Sequence, residues 1–332
     1  ETPFAPPYKT ALPMTTEDLG LNPNVCKVPL HMESPTIEDP TPDLQRVLEA
    51  LEEQGVTVSN VSHHVLPQLP GLLRGAEWQL TAVVVGSTLT GIEPGDTTEA
   101  KYGIAFDLGT TTVAAYLLDL SNGRLLAQAA ETNRQVKFGS DVMTRIDRAH
   151  EGDLYFMQGA ALASLNHLIR EVTEDTPIMP ANIYEAVVVG NTCMHHILLG
   201  IDPYQAGVSP FIPFLTRSLD LPASEAGLYI AQGGNLHLLP LVSGFIGADT
   251  IADIISLDLD RTREPHLLVD IGTNAEMALA VEGKIRVCAA AAGPAFEGAR
   301  INCGMRAAPG AIDKVEINGN QLCCRTIDNQ PA

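Results

Sequence analysis

Basic residues are scarce in this chain: 20 Lys and Arg stand against 40 Asp and Glu over 332 residues, a formal charge of −20. Such a surface repels a phosphate backbone, and no basic patch is interleaved with aromatics, so nucleic acid is not expected as a partner. The sequence also lacks any run of about 18 uninterrupted apolar residues and any basic-then-apolar leader, which argues against membrane spanning and secretion. The six cysteines, Cys26, Cys193, Cys288, Cys303, Cys323 and Cys324, form no CxxC pair. Adjacent Cys323 and Cys324 cannot easily bridge or chelate together, and the set reads mainly as small buried residues of a cytoplasmic protein. Several catalytic signatures are missing: the Walker-type GxxxxGK loop, GxGxxG after a strand, HExxH and GxSxG. A D-x-D at the first strand end, which covalent aspartyl-phosphate chemistry would want, is replaced by Asp107-Leu108-Gly109.

What is present is apolar and patterned. With 45% hydrophobic and 18% charged residues, the chain can bury a large core in about two or three domains. Nine of its 23 prolines fall in the first 42 residues, which predicts an extended connector over 1–32. The chain opens on Glu1 rather than Met, and a further module is expected upstream. "TPDLQRVLEALEEQG" predicts a helix with Pro42 at its first position, and residues 33–100 are expected to form a small α+β middle domain. From Lys101 an antiparallel meander is predicted, with Asn122-Gly123 as a two-residue hairpin turn. A helix capped by Ser140 follows, then a long amphipathic helix, then a buried strand ending at Gly190-Asn191. His195 and His196, just beyond it, read as satisfied core or helix-surface histidines.

The meander recurs. "FDLGTTTVAAYLLDL" and "VDIGTNAEMALAV" both run an apolar strand into Asp, then Gly, then Thr. The two Asp and the two Gly are each 163 positions apart (270 less 107, 272 less 109), and the following turns, Asn122-Gly123 and Glu282-Gly283, keep nearly the same phase. Duplicated lobes are the natural reading. An ionised Asp at the end of a buried strand is costly without a partner. A hydrated Mg2+ beside phosphates would offset that cost, held by Asp107 and Asp270 from opposing lobes. Gly109 and Gly272 allow close backbone approach, and Thr110, Thr111, Thr112, Thr273 and Asn274 add hydroxyl, amide and N–H groups. Gly293 and Gly298, in the glycine-rich run after the third strand of the second meander, are further candidates to close over phosphates. Asn191 and Glu276 are polar contributors to the same cleft.

These residues resemble the paired phosphate motifs of the actin, heat-shock chaperone and sugar-kinase ATPase superfamily, with "SGFIGADTIADII" resembling the helix that connects the lobes. "VVVGNTCMHHILLGIDPYQAG", "DIGTNAEMAL" and "AAAGPAFEGARINCGMRAAPGAI" resemble one branch more closely, the ATP-dependent reductive activators of corrinoid proteins. The resemblance implies an α/β fold of actin-like, ribonuclease H-like lobes: a first lobe over 101–262 and the start of a second, incomplete one over 263–332. It implies ATP and Mg2+ as ligands, catalytic roles for Asp107, Asp270, Glu276 and Asn191, a corrinoid protein as partner, and a homodimer. It also implies an N-terminal [2Fe-2S] domain. No four-cysteine ferredoxin spacing is present, so that cluster is expected outside this chain, as is the adenosine motif. Two other readings remain open at this point: a small-molecule kinase of the same superfamily, and a nucleotide-gated assembly protein.

Overall fold

A computed structural model describes residues 21–272, 274–290, 292–293, 302, 304–305, 310–319 and 321–327. The first unit is a four-stranded sheet backed by two helices: β1 (Val25–His31), α1 (Asp43–Glu53), β2 (Asn60–Val61), α2 (Leu69–Gly75), β3 (Gln79–Val85) and β4 (Thr88–Pro94), in the sheet order β1-β3-β4-β2. The run Leu-Thr-Ala-Val-Val-Val makes β3 a central strand, because a strand buried on both faces needs apolar residues at every position. One face packs on α1 and α2 through Leu80, Ala82, Val84, Val47, Leu51 and Leu73. The other presents Val25, Val83 and Val85 to Tyr184 and Ala231 of the next unit.

Two local expectations change here. The extended connector expected up to residue 32 contains a paired strand: β1 lies antiparallel to β3, from Val25 opposite Val85 to His31 opposite Gln79. Its one proline, Pro29, is tolerated because β1 is an edge strand. Pro42 is the N-cap of α1 rather than its first helical residue, and no side chain caps that end.

The second unit is a six-stranded sheet in the order β7-β6-β5-β8-β10-β9. β5 (Tyr102–Leu108), β6 (Thr112–Asp119) and β7 (Leu125–Thr132) form the predicted antiparallel meander. β8 (Ile183–Gly190) runs parallel to β5, and β10 (Asn235–Leu238) runs parallel to β8, with β9 (Leu219–Pro222) antiparallel at the edge. α3 (Val142–Arg148) and the 21-residue α4 (Leu154–Glu174) follow the meander. α4 buries Met157, Ala161, Ser164, Leu165, Leu168 and Val172, a stripe at helical spacing, and its apolar members join the core formed by Ile104, Phe106, Leu108, Val113, Ala115 and Leu117 of β5 and β6.

The turn between β6 and β7 is longer than the two-residue hairpin expected at Asn122-Gly123. The Asp119 N–H donates to the Arg124 carbonyl, Gly123 sits at φ +73°, and the Asp119 carboxylate caps the loop from inside by accepting from Ser121 N–H and Asn122 Nδ2. A bulge between Leu117 and Leu118 accommodates the extra length. The cap of α3 is Asp141, not Ser140: its carboxylate accepts from the Thr144 N–H at 2.9 Å, as the stronger acceptor of the two.

α5 (Thr192–Leu198) and α6 (Tyr204–Gly207) precede β9, and α7 (Ala248–Ser256) leads to a three-stranded antiparallel sheet of β11 (His266–Ile271), β12 (Ala275–Val281) and β13 (Lys284–Ala290). Here the two-residue turn is real, with Glu282 and Gly283 both at positive φ between the paired Val281 and Lys284. A last hairpin, β14 (Ile312–Asn318) with β15 (Gln321–Thr326), lies beyond it. α7 contacts β8 on one side and β12 on the other. Ala278 and Ala280 are fully buried against Ile254 and Leu259, so small side chains set how closely the second sheet approaches the helix.

Candidate functional site

Strand alternation fixes the position of Asp107. Ile104, Phe106 and Leu108 of β5 enter the core shared with α4, which turns Ala105 and Asp107 to the opposite face. The ends of β5 and β8 and the start of α7 then meet backbone to backbone. A Cβ on Gly190 would lie 2.6 Å from the Leu108 carbonyl oxygen, and one on Gly247 would lie 2.5 Å from the Asn191 Cα. Glycine at these two places lets α7 begin directly over the strand ends.

That approach brings α7 carboxylates into the site. Asp249 and Asp253, one helical turn apart, both interact electrostatically with Asp107 and with Asp270 of β11. Glu276 of β12 is paired directly opposite Asp270, is 6% exposed, and faces Asp249, Asp270 and Asp253. Burial first, then the neighbouring carboxylates, push Asp249 and Asp253 up to about 6 and Glu276 up to about 7. Five carboxylates from β5, α7, β11 and β12 fit a divalent cation, which would relieve the repulsion that helps raise Asp249, Asp253 and Glu276. Among the described residues no three His, Cys, Asp or Glu side chains converge closely enough to ligate a bare ion.

The first D-x-G-T turn is ordered around Gly109. A Cβ there would lie 2.7 Å from the Thr112 carbonyl oxygen, so only glycine fits the turn. Thr110 is buried, and its hydroxyl accepts from Asn191 Nδ2 at 3.0 Å. The Asn191 Oδ1 in turn accepts from the Met194 N–H at 3.1 Å, so the residue both caps α5 and braces the turn. Asn191 is thus a positioning residue in this geometry. Thr111 lies within the turn and Thr112 opens β6. In the second turn the Gly272 N–H donates to the Asn274 carbonyl at 3.0 Å. Gly293 takes φ +78°, and among the described residues nothing lies within 4 Å of where its Cβ would be. Thr273 and Gly298 lie outside the described residues.

The histidines expected to be core residues are buried. His196 is fully satisfied, its Nδ1 bonded to the Thr192 carbonyl at 2.7 Å and its Nε2 accepting from the Phe214 N–H at 2.9 Å. His195 is 3% exposed, its Nε2 has no hydrogen-bond partner, and burial followed by the adjacent His196 pushes it down to about 4. The cysteines differ from expectation. Cys193 alone is buried among those described, while Cys26, Cys288, Cys323 and Cys324, all on strands, are exposed; Cys323 and Cys324, consecutive in β15, point to opposite faces of that hairpin.

Sequence reasoning missed Asp249 and Asp253. The signal was an i, i+4 acidic pair in "GADTIADII", which on a lone helix reads as solvated surface.

Comparison with known proteins agrees with this architecture. Family models match the chain in sequence order: the RACo linker region over 14–99, the RACo middle region over 102–262, and the C-terminal domain of RACo, the ASKHA domain, over 264–332. The corrinoid activation enzyme RamQ of Eubacterium limosum is 39% identical over 258 residues, covering 77% of this chain and 43% of RamQ. The [Co(II) methylated amine-specific corrinoid protein] reductase of Methanosarcina barkeri is 31% identical over 238 residues, 69% of this chain and 43% of that protein. The solved structure of a reductive activator for a corrinoid, iron-sulfur protein superposes with a TM-score of 0.85 at 34% identity, over 96% of this chain and 52% of that one. The chain spans about half the length of the relatives it matches. Matched by these models over nearly all of its length, the chain belongs to the RACo family and has an actin-like α/β fold with an ASKHA domain over 264–332.

Proposed function

We propose that the two hairpins and α7 form a Mg-ATP site, and that the chain serves the ATP-dependent reduction of a corrinoid protein from Co(II) to Co(I). The electron would come from a [2Fe-2S] cluster outside this chain, within a homodimer. One observation supports the reading: Asp107 and Asp270, a repeat apart in sequence, both act electrostatically on Asp249 and Asp253 of α7, and the tight Gly109 turn follows Asp107. The names of RamQ and of the Methanosarcina reductase supply the corrinoid half of the proposal.

In this reading the turns 109–112 and 272–274 take the phosphates, the second through groups other than the Gly272 N–H that Asn274 engages, and Asp107 and Asp270 hold the hydrated ion. When bound, Mg2+ supplies charge neutralisation at the phosphate oxygens. Asp249 and Glu276, with pKa values of about 6 and about 7, are the groups suited to take the proton of an attacking water at neutral pH. The new P–O bond forms as the bond to the bridging oxygen breaks, and the chain contributes position and electrostatics rather than a covalent intermediate. ATP can drive an uphill electron transfer only if it binds two lobe arrangements unequally.

The test is calorimetric titration of Mg-ATP into the full-length protein and its Asp107→Ala, Asp270→Ala variant, followed by optical assay of Co(I) formation on the corrinoid partner. Binding that the double variant loses, with ATP-dependent Co(I) formation, is the expected result. A folded protein with no affinity for Mg-ATP would remove the proposal.

A further inference from the structure

The turn joining β5 to β6 is gripped from behind at three consecutive carbonyls. The Gly109 oxygen accepts from Asn133 Nδ2 at 2.7 Å, the Thr110 oxygen from Arg145 Nη2 at 2.5 Å, and the Thr111 oxygen from the Asn133 N–H at 2.8 Å. Peptide geometry couples the two faces of a turn: carbonyls drawn inward leave the intervening N–H groups turned outward, which is the arrangement an anion requires. Asn133 and Arg145 are both fully buried, so the grip is part of the core.

Arg145 is unusual in what surrounds it. Its other bonds go to neutral acceptors: Nε to the Gly139 carbonyl at 3.0 Å, and Nη1 to Gln135 Oε1 at 3.1 Å and Met194 Sδ at 3.4 Å. Among the described residues it makes no ion pair; Cys193 and then Asp141 act on it electrostatically. A buried guanidinium without a counter-ion is costly, and proteins rarely retain one for stability alone. Burial lowers its pKa to about 10, which still leaves it charged at neutral pH.

We propose that Asn133, Gln135 and Arg145 are positioning residues that preorganise this turn for a polyphosphate, and that the charge of Arg145 is left unneutralised so that the bound anion supplies its balance. The proposal rests on the reading that the 109–112 turn takes phosphates. It assigns the electrostatic half of the site to opposite sides of the ligand: one buried cation behind the turn, and five carboxylates, with their metal ion, in front. None of the three side chains contacts the ligand; each acts through the turn. The signal is invisible in the D-x-G-T motif, because Asn133 and Arg145 lie 24 and 35 residues from the carbonyls they hold.

The discriminating variant is Gln135→Glu, which places a carboxylate oxygen at the hydrogen-bond distance Gln135 now holds from Arg145 but gives up the bond from Gln135 Nε2 to the Met157 carbonyl at 3.2 Å. Gln135→Met, which loses that bond without adding charge, is its control and should bind Mg-ATP more tightly than Gln135→Glu. Titration of Mg-ATP into full-length wild type, Gln135→Glu, Gln135→Met, Arg145→Lys, Arg145→Met and Asp107→Ala reads the outcome. Gln135→Glu is expected to weaken binding about tenfold while remaining folded, because an internal counter-ion cancels the charge offered to the ligand. Arg145→Lys should retain more affinity than Arg145→Met, since it keeps the charge but not the fork. Wild-type affinity in a folded Gln135→Glu protein would overturn the proposal, and it decides the matter even if Arg145→Met fails to fold. Should wild type itself not bind Mg-ATP, the phosphate reading of the turn falls, and this inference with it. Binding by wild type that only Asp107→Ala loses leaves that reading standing and removes the role given to Arg145.

Discussion

Replacing Asp249 by Asn should make the metal-free protein more stable while removing its nucleotide function. Burial, and after it the carboxylates of Asp107, Asp270 and Asp253, lift Asp249 from an ordinary 3.8 to about 6, against the Thr250 N–H that favours its charged form. A carboxyl whose folded pKa is raised binds its proton more tightly in the native state. Its ionisation therefore costs stability progressively as pH rises from the unfolded value toward and past 6, and the cost is complete above about 7. Two pKa units correspond to about 3 kcal/mol. Removing one carboxylate lets its neighbours redistribute their protons, so a net gain of about 1–2 kcal/mol at pH 8 is expected. Asparagine keeps an oxygen for the Thr250 N–H, now 2.8 Å away, so the helix start is preserved. For a lobe of this size the gain corresponds to a rise in Tm of about 3–6 °C. The assay is thermal unfolding of wild type and Asp249→Asn at pH 8 and pH 5.5, without and with Mg2+. At pH 5.5 Asp249 is largely protonated in the wild type, and the difference should shrink. His195 and His196, both depressed by burial, lower stability in acid equally in the two proteins, so variants are compared at a fixed pH. A variant that melts below wild type at pH 8, or a difference that does not change with pH, would refute the reasoning.

Three further outcomes follow from named contacts. Lys27 has a 1% exposed side chain and joins Glu93 at 2.7 Å, Tyr184 and the Ala100 carbonyl, so Lys27→Met should cost about 2 kcal/mol by removing the cation from Glu93, which keeps its bonds from the Tyr184 and Thr97 hydroxyls, read as loss of cooperative unfolding between the first sheet and the lobe. Gly247→Ala should shift the start of α7 and lower Mg-ATP affinity about tenfold or more, because its Cβ cannot fit 2.5 Å from the Asn191 Cα; unchanged calorimetry would argue against the tight packing at that junction. Asn191→Ala should lower stability by about 1 kcal/mol through the lost α5 cap, and weaken phosphate binding further through the freed Thr110 hydroxyl; Asn191→Ser should recover the first effect and not the second.

Much of the frame is legible in the residues because it depends on short-range physics. Period-two alternation in β5 and β6, the helical stripe of α4, and the Glu282-Gly283 turn are each decided by neighbours within one element. Local reasoning fails where two local solutions compete. The loop after β6 is reshaped by the Asp119 side chain and a bulge, and α3 is capped by Asp141 in preference to the adjacent Ser140. At β1 a proline-rich stretch pairs because a distant strand, β3, offers it an apolar edge.

The sequence by itself determined that two D-x-G-T segments exist, that each follows an apolar stretch, and that they recur at a fixed offset, since a repeat is a property of the chain. The expectation of a buried strand before each holds for β5 but not for β11, whose Leu267, Val269 and Ile271 are exposed. Only the tertiary structure decided what surrounds them. Asp249 and Asp253 belong to the site because glycines at 190 and 247 let α7 rest on the strand ends, and Arg145 belongs to it because the core closes over Asn133 and Gln135. Charge and hydrogen bonding act through space, over a few ångströms, between residues the chain keeps tens of positions apart; no spacing rule along the sequence encodes that distance.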